Sequence, residues 1–334
     1  MSISDQIDKL INFNFGYHTG LEKLHVSLKK TRKQSPVSDA ADALMRLKKG
    51  EKVFIVTGSP TRSWISPSIG ENDGPIGAVV LSGALLKAFH ILPVIITDAL
   101  LMEATKSLVR GVGYTGGTIE EGLKAIESTS PLGLIALHDF PTNDKLARNA
   151  AAELIKKLKP SFLISVERSG RNEKGEYHNM KGINYSKDRA RMDYLFTEAR
   201  SKGISTIGIG DGGNEIGMGV IKEAVRQFIP YGKECQCPCK GGIACVTETD
   251  ILVTAAVSNW GCYGIISALA IKLRKPQILH NGNTEKALIY KSIDAGFVDG
   301  VTGMAEPTVD GMPFQIHSGI VEILRFMALR EIER

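Results

Sequence analysis

The sequence predicts an α/β fold built on a doubly wound, mostly parallel, Rossmann-like sheet with helices on both faces. Short apolar and β-branched runs recur along the chain, helical patterns lie between them, and polar or charged residues follow most of the runs. This alternation is typical of βαβ units, whose parallel strands end at one edge of the sheet. The predicted strands cover residues 52–58, 92–98, 132–140, 161–168, 204–210 and 249–257, with a closing strand at 277–280.

The composition is that of an ordinary globular protein. The chain has 334 residues, of which 43% are hydrophobic and 23% charged. We see no internal repeat and no low-complexity linker, so one main domain is favoured. Residues 1–50 contain two amphipathic patterns around a basic run, which predict an N-terminal helical extension. Residues 51–334 are expected to form a single α/β catalytic domain.

Charge and hydropathy limit the kinds of partner that we expect for this chain. The net charge of +5 comes from scattered lysines and arginines, so we expect no nucleic-acid partner, whereas a small acidic substrate fits. No apolar run approaches the length of a membrane span, so no membrane partner is expected. The N-terminus carries acids where a signal peptide has basic residues, which predicts a cytoplasmic protein. Assembly into a homo-oligomer stays open.

The most informative stretch is residues 204–219, which reads I-S-T-I-G-I-G-D-G-G-N-E-I-G-M-G. A buried strand here turns into a glycine-dense loop that carries Asp211, Asn214 and Glu215. If a helix begins near Gly212, the two acids converge on one locus, which suits a metal, an ammonium group or a proton. We therefore take Asp211, Glu215 and Asn214 as candidate catalytic residues.

Two other interpretations of this loop stay open. Asp211 could simply cap the next helix. The loop also loosely resembles a Rossmann phosphate loop, which would make the chain a nucleotide- or phosphate-binding protein. An acid stands where a pyrophosphate would come closest, however, so we expect no nicotinamide cofactor.

Two long polar loops add further candidates. The loop after the first strand contains Arg62, Glu71 and Asp73, and it is longer than most βα connections. Glu71 is a further candidate catalytic residue, and Glu71, Asp73 and Asp211 are candidate ligands for a divalent ion, Mg or Mn. The alternative for Asp73 is an acid at a helix start.

The second long loop covers residues 167–187 and leads into a helix predicted over 187–202. Its arginines can form bidentate hydrogen bonds with a carboxylate, so they suit an anionic substrate. A structural ion pair between Glu167 and Arg168 is the alternative, and Asn259 could cap a helix instead of orienting substrate. Glu306 and Asp310 lie in turns and are expected to be structural. The candidate substrate-binding residues are Arg62, Arg168, Arg171, Asn179, Lys181 and Asn259.

Four of the five cysteines lie within an eleven-residue segment, C-Q-C-P-C-K-G-G-I-A-C, and they are Cys235, Cys237, Cys239 and Cys245. In a cytoplasmic protein, bound metal and plain thiols are the competing interpretations. The spacing departs from the usual zinc pattern of paired cysteines on two knuckles. A structural Zn site, or an iron-sulfur site, therefore stays an alternative, and with it a non-catalytic metal-binding domain.

Four segments together resemble a known family. They are T-G with G-E-N-D-G-P-I-G-A, E-R-S-G-R with Y-H-N-M-K-G, G-I-G-D-G-G-N-E-I-G-M-G, and V-S-N-W-G. In this order they are similar to the D-glutamate cyclase C-terminal domain family, from about residue 50 to the end. The resemblance implies conversion of D-glutamate to 5-oxo-D-proline and water. Larger members of the family carry a fused hydro-lyase-like domain, and we expect this chain to be a member without it.

The implied reaction assigns roles to the candidates. Asp211 or Glu215 could serve as the base that deprotonates the ammonium group, with a pKa raised by burial and by the neighbouring acid. Arg168 or Arg171 would hold the α-carboxylate. A divalent ion on Glu71, Asp73 and Asp211 would polarise the γ-carboxylate.

Overall fold

The computed structural model describes residues 2–16, 19–32, 34–130, 132–187 and 189–334. Its helices are α1 (Ile3–Ile11), α2 (Leu21–Thr31), α3 (Pro36–Leu44), α4 (Pro75–Phe89), α5 (Met102–Gly111), α6 (Ile119–Glu127), α7 (Asp144–Leu158), α8 (Asp193–Ser201), α9 (Lys222–Phe228), α10 (Ser258–Leu273), α11 (Gly282–Asp294) and α12 (Phe314–Glu333). Its strands are β1 (Lys52–Val56), β2 (Gly70–Glu71), β3 (Leu92–Thr97), β4 (Thr115–Gly117), β5 (Leu134–Asp139), β6 (Phe162–Val166), β7 (Ser205–Gly210), β8 (Ile251–Thr254), β9 (Phe297–Val298), β10 (Thr308–Val309) and β11 (Met312–Pro313). Short 3₁₀ turns cover Ala99–Leu101, Gly219–Ile221 and Pro276–Ile278.

A seven-stranded sheet forms the centre, in the order β4-β5-β3-β1-β6-β7-β8. All its neighbouring strands pair in parallel, so Ile55 of β1 lies between Ile95 and Ile164. The chain builds outward from β1 to one side through β3, then returns to the other side through β6. The fold is therefore a doubly wound α/β fold, as predicted, with its topological switch point between β1 and β6. Ligands of such sheets bind outside the carboxyl ends of the strands at this point.

Alternate residues of β1 face two hydrophobic cores. Val53 and Ile55 pack with α4 and α10 on one side, whereas Phe54 and Val56 face the core of α7 and α8. The N-terminal helices share the first core, because the side chains of α1 and α3 pack there with α10. The N-terminal region is helical, as expected from its amphipathic patterns.

The structure differs from the sequence prediction in four local features. Residues 277–280 do not form a closing strand, since a 3₁₀ turn covers Pro276–Ile278, and β8 is the edge on that side of the described sheet. The opposite edge, β4, was missed because T-G-G contains two glycines and no apolar run. The helix expected over 187–202 begins only at Asp193, and the loop after β7 continues to the turn at Gly219.

No helix among the described residues is both long and apolar enough to cross a lipid bilayer.

Candidate acidic active site

Glu167 directly follows β6 at the switch point. Its φ of 49° lies in the left-handed region, which side-chain-bearing residues rarely adopt and which often marks functional sites. Its carboxylate accepts a hydrogen bond of 2.5 Å from Ser258 Oγ. Gly74 packs against it, since a Cβ at this position would lie 2.7 Å from that of Glu167. The strained backbone thus aims an acid at the N-terminal ends of α4 and α10.

The starts of these two helices cap one another. The carboxylate of Asp73, just before α4, accepts the N–H groups of Ser258 and Asn259 in α10, both at 2.9 Å. The Oδ1 atom of Asn259 in turn accepts the N–H groups of Gly74 and Gly77 at 3.0 and 2.6 Å. Both helix N-termini are satisfied this way, and the partial positive charge of α10 stabilises an ionised Asp73. Asn259 therefore caps the start of α4 and fixes the segment that carries Asp73.

The glycine loop after β7 folds around the carboxylate of Glu215. This fully buried side chain accepts the N–H groups of Asp211, Gly212 and Gly213 at 3.3, 2.7 and 2.7 Å. These are the backbone donors that a bound phosphate would need in a loop of this kind. The protein's own acid already occupies them, which counts against the phosphate-binding interpretation. Asn214 faces the other way and donates its side-chain amide to the carbonyl of His178 at 2.8 Å.

Asp310 reaches the site from the C-terminal part of the chain. It occupies, with Gly311, the two-residue turn between β10 and β11, and both have positive φ, as a type I′ turn requires. Asp299 fixes this turn by accepting the N–H of Gly311 at 2.7 Å. The sequence correctly indicated a turn at Asp310 but gave no signal that the turn lies at the switch point.

Two groups of carboxylates share Asp211. In each group the three side chains bring one oxygen within 4.8 Å of the others. The groups are Asp73 with Asp211 and Asp310, and Glu167 with Asp211 and Glu215. Glu71 adds its charge to the same region, because its pKa responds to the charges of Asp73 and Glu215.

Burial makes these acids reluctant to ionise. It raises the pKa of Glu71 to about 7 and that of Asp73 to about 6. Burial, together with neighbouring negative charges, raises the pKa of Glu167, Asp211 and Asp310 well above the usual range. Clustered acids of this kind need protons or a cation to remain together.

A divalent cation fits the group of Asp73, Asp211 and Asp310. Carboxylate oxygens are the ligands that magnesium and manganese prefer. One oxygen of Asp310, Oδ2, is buried and has no hydrogen-bond partner among the described residues, so it can accept a cation. Of the three predicted metal ligands, Asp73 and Asp211 belong to this group, whereas Glu71 lies outside it.

Arg168 is held within the scaffold. It is fully buried, forms an ion pair with Asp98, and donates to the carbonyls of Gly58 and Ala190 at 2.6 and 2.8 Å. One interpretation of the sequence paired Arg168 with Glu167. The structure contradicts it, because the carboxylate partner of Arg168 is Asp98. Both terminal nitrogens of Arg168 are used by the protein itself.

The remaining predicted substrate-binding residues are Arg171, Asn179 and Lys181 on the second loop and Arg62 on the first, and each has different surroundings. The guanidinium of Arg171 stacks 5.1 Å from the ring of Tyr194 and lines a surface cleft of about 220 Å³. Asn179 accepts the N–H groups of Lys181 and Ile183 at 3.0 Å within its own turn, and Lys181 is exposed. Arg62 donates to the carbonyl of Gly300 at 3.2 Å.

Arg189 is the cation that the sequence did not reveal. It is 2% exposed, lies 3.5 Å over the ring of Tyr185, and donates to the carbonyl of Pro60 at 2.5 Å. The positive charge of Arg189 partly offsets the rise that burial causes in the pKa of Glu71, so the two side chains are electrostatic neighbours. Its Nε and Nη1 atoms have no hydrogen-bond partner among the described residues. Sequence reasoning missed it because residues 187–202 were predicted as helix, whereas Arg189 lies in the loop before α8.

The cysteine segment forms a separate group. The thiols of Cys235, Cys237 and Cys239 converge with the imidazole of His178, and we call these four residues the cysteine–histidine group. Cys245 lies outside it, fully buried, and its sulfur accepts the N–H of Thr247 at 3.3 Å.

Comparison with known proteins places the chain in a family. The family model described as "D-glutamate cyclase-like, C-terminal" matches residues 21–325. The chain belongs to this D-glutamate cyclase-like family. The curated protein "D-glutamate cyclase, mitochondrial" from Homo sapiens is 31% identical over 324 residues, which cover 84% of this chain and 46% of that protein. The chain thus spans about half the length of the curated relative it matches.

Solved structures add nothing beyond this. TcdA (CsdL) and E. coli tRNA N6-threonylcarbamoyladenosine dehydratase, TcdA, in complex with AMP, both match at a TM-score of 0.29 and 14% identity. Each match covers 74% of this chain and 91% of the other. A likeness this weak carries no argument.

Membership of the D-glutamate cyclase-like family confirms the resemblance drawn from the four sequence segments. The most specific of these segments supplies Asp211 and Glu215, which the structure brings together with Asp73. Glu167 and Asp310 lie with these acids, although neither was predicted as a site residue. We call the five residues Asp73, Glu167, Asp211, Glu215 and Asp310 the acid cluster.

Proposed function

We propose that this chain is a D-glutamate cyclase-like lyase that converts D-glutamate to 5-oxo-D-proline and water. The observation that carries the proposal is the buried acid cluster at the switch point together with Arg189, an electrostatic neighbour of Glu71 with two guanidinium nitrogens that have no partner among the described residues. Family membership supports the same reaction class.

Arg189 is the anchor for the substrate's α-carboxylate. Its Nε and Nη1 atoms have no hydrogen-bond partner among the described residues, so each can donate a charge-assisted hydrogen bond to a carboxylate oxygen. Burial lowers the pKa of this arginine, so a substrate anion restores the stabilisation that water would otherwise give its charge. Arg168 has no such capacity, since it is paired with Asp98.

The acid cluster receives the other end of the substrate. Ring closure forms a bond between the amine nitrogen and the carbon of the side-chain carboxylate, and one carbon–oxygen bond of that carboxylate breaks. The ammonium nitrogen gives up two protons in total, and the departing oxygen takes up two protons to leave as water. Carboxyl groups whose pKa values are raised by burial suit both transfers, because they bind a proton more tightly than an exposed carboxylate does and can also donate it.

Asp211 is the residue placed best for these proton transfers. It belongs to both carboxylate groups and is 7% exposed. Glu215 is less suited, because its oxygens are held by three backbone N–H groups of its own loop. We assign Asp211 as the general base toward nitrogen and Glu167 as the proton donor toward the leaving oxygen.

Asp73, Asp310 and one carboxylate oxygen of Asp211 would hold a magnesium or manganese ion, and the second oxygen of Asp211 would remain for its role as base. Such an ion, when bound, polarises the side-chain carboxylate and offsets the negative charge of the cluster. The protein's own contribution is orientation, since both reacting groups belong to one molecule.

The test is incubation of the purified chain with D-glutamate and Mg²⁺ or Mn²⁺, with 5-oxoproline measured by chiral chromatography and mass spectrometry. We expect product from the D enantiomer, and from the Asp211→Asn variant we expect product at a rate lower by about 10²–10⁴. Absence of turnover with both glutamate enantiomers under both metals removes the proposal.

A further inference from the structure

We propose that the chain binds one structural zinc ion at a site distinct from the acid cluster. The ligands are the four members of the cysteine–histidine group: His178, Cys235, Cys237 and Cys239. The three thiolates and one imidazole make the Cys₃His set that closed zinc sites use.

The distances fit this assignment. The sulfur of Cys235 lies 3.5 Å from that of Cys237 and 3.3 Å from that of Cys239. Ligands about 2.3 Å from a tetrahedral zinc are a little under 4 Å apart, so small outward shifts admit the ion. A disulfide would require sulfurs about 2.05 Å apart, and these cysteines are free.

His178 completes the tetrahedron. Its Nε2 atom lies 3.1 Å from the sulfur of Cys237 and 3.7 Å from that of Cys239. The residue is 1% exposed, and Nδ1 has no hydrogen-bond partner among the described residues, so Nε2 is the ring nitrogen that faces the thiols. Because His178 is distant in sequence from the cysteines, the spacing C-x-C-x-C-x₅-C pointed to Cys245 instead.

Backbone and amide donors surround the sulfurs as they do around metal-bound thiolates. The N–H of Gly241 points at the sulfur of Cys239 at 3.5 Å, and the side-chain amide of Asn172 does so at 3.6 Å. The amide of Asn184 lies 3.9 Å from the sulfur of Cys237. These donors stabilise negative charge on sulfur, which zinc ligation requires.

The ion would crosslink the loop that carries His178 to the cysteine segment. His178 belongs to a hairpin-like loop closed by its bridge to Asn184, and the cysteine segment docks on that loop through Gln236, whose N–H donates to the carbonyl of Gly182 at 3.0 Å. The carbonyl of His178 also accepts the side-chain amide of Asn214, next to Glu215. The zinc therefore supports the loop against which the acidic loop rests, and we assign it a positioning role.

The experiment is elemental analysis of the purified full-length chain by inductively coupled plasma mass spectrometry. We expect zinc at about one ion per chain. The variants Cys237→Ser and His178→Asn should contain about tenfold less zinc or lower. Cys245→Ser is the matched control, because it removes a buried cysteine of the same segment and should keep its zinc.

A second measurement does not depend on the variants folding. The wild-type chain loaded with cobalt should show the visible absorption of a tetrahedral thiolate site, and removal of zinc by a chelator should lower the melting temperature. Wild-type protein that holds no zinc, or that holds iron instead, overturns the proposal. Loss of zinc in Cys245→Ser with retention in His178→Asn overturns the ligand assignment. These readouts are independent of glutamate turnover, so the zinc site and the proposed lyase activity fail separately.

Discussion

The ion pair between Asp98 and Arg168 decides whether Arg168 belongs to the scaffold or to the substrate site. The side chain of Arg168 is 0% exposed and that of Asp98 is 5% exposed. Asp98 also accepts the N–H of Ala190 at 2.9 Å, so it ties β3 to the loop that carries Arg189. We predict that Asp98→Asn destabilises the protein, because it leaves a buried guanidinium without a counter-charge.

The magnitude follows from the burial of both partners. Removing one member of a buried ion pair costs about 3–5 kcal/mol, and the lower end applies because asparagine keeps one acceptor oxygen. The entropy of unfolding is about 2.1 cal/mol/K per residue, which for 334 residues gives about 0.7 kcal/mol/K. A loss of about 3 kcal/mol therefore lowers the melting temperature by about 4 °C.

The assay is thermal unfolding followed by circular dichroism, with urea titration for the free energy of unfolding. Glu198→Gln is the matched control, since Glu198 pairs with Lys202 at 3.7 Å on the surface of α8. A surface pair of this spacing contributes only about 0.3–0.5 kcal/mol. The double variant Asp98→Asn with Arg168→Met should lose less than the sum of the single variants, because it removes the orphaned charge.

One result would refute this reasoning. If Asp98→Asn keeps wild-type stability while the KM for D-glutamate rises, Arg168 is not held by Asp98 and is available to substrate, as the sequence had suggested.

Three further predictions concern the site and the N-terminal helices. Arg189→Met should lower kcat/KM for D-glutamate about 100-fold, mainly through KM, because a charge-assisted carboxylate contact is lost, whereas Arg171→Met should change it less than about twofold. Asp211→Asn should lower kcat by about 10²–10⁴ without unfolding the protein, as circular dichroism would show. Burial raises the pKa of Asp8 to about 6, so its stabilising contribution is present below about pH 4 and is lost as the pH rises through about 6. Urea titrations at pH 4.5 and pH 7 should therefore show wild type losing about 2 kcal/mol relative to Asp8→Asn on going to the higher pH, and equal pH dependence of the two proteins would contradict this.

The sequence predicted the sheet, and two of the acids that it proposed as metal ligands lie together in the structure. Strands with apolar runs, such as β1 and β7, were placed to within about two residues, because burial on both faces leaves a continuous apolar signature. The sequence predicted that Asp73 and Asp211 lie near one another, and the structure places them in one group. The prediction was possible because each lies just past a strand or just before a helix at the same edge of the sheet.

What the sequence could not show depends on tertiary contacts between distant segments. Asp310 is 99 positions beyond Asp211, and only the packing of the β10–β11 turn against the switch point joins them. His178 and the cysteines are separated by more than fifty positions, so no local spacing rule could pair them. Arg189 looked like part of a helix, whereas it lies in an irregular loop, and its two buried guanidinium nitrogens without a partner among the described residues become visible only in the folded structure.

The way the acids are held argues that the cluster exists for chemistry and not for stability. Glu167 is kept in a strained left-handed conformation, and the buried Asp73 and Asp211 have pKa values raised by burial. Each of these features costs free energy of folding, and apolar residues of similar size would fill the same space more cheaply. The fold offsets the cost locally, with the N-terminus of α10 facing Asp73 and three backbone N–H groups facing Glu215. Since strain and perturbed acids concentrate where a reaction needs them, the switch point is where substitutions by amides should remove activity while leaving the rest of the fold intact.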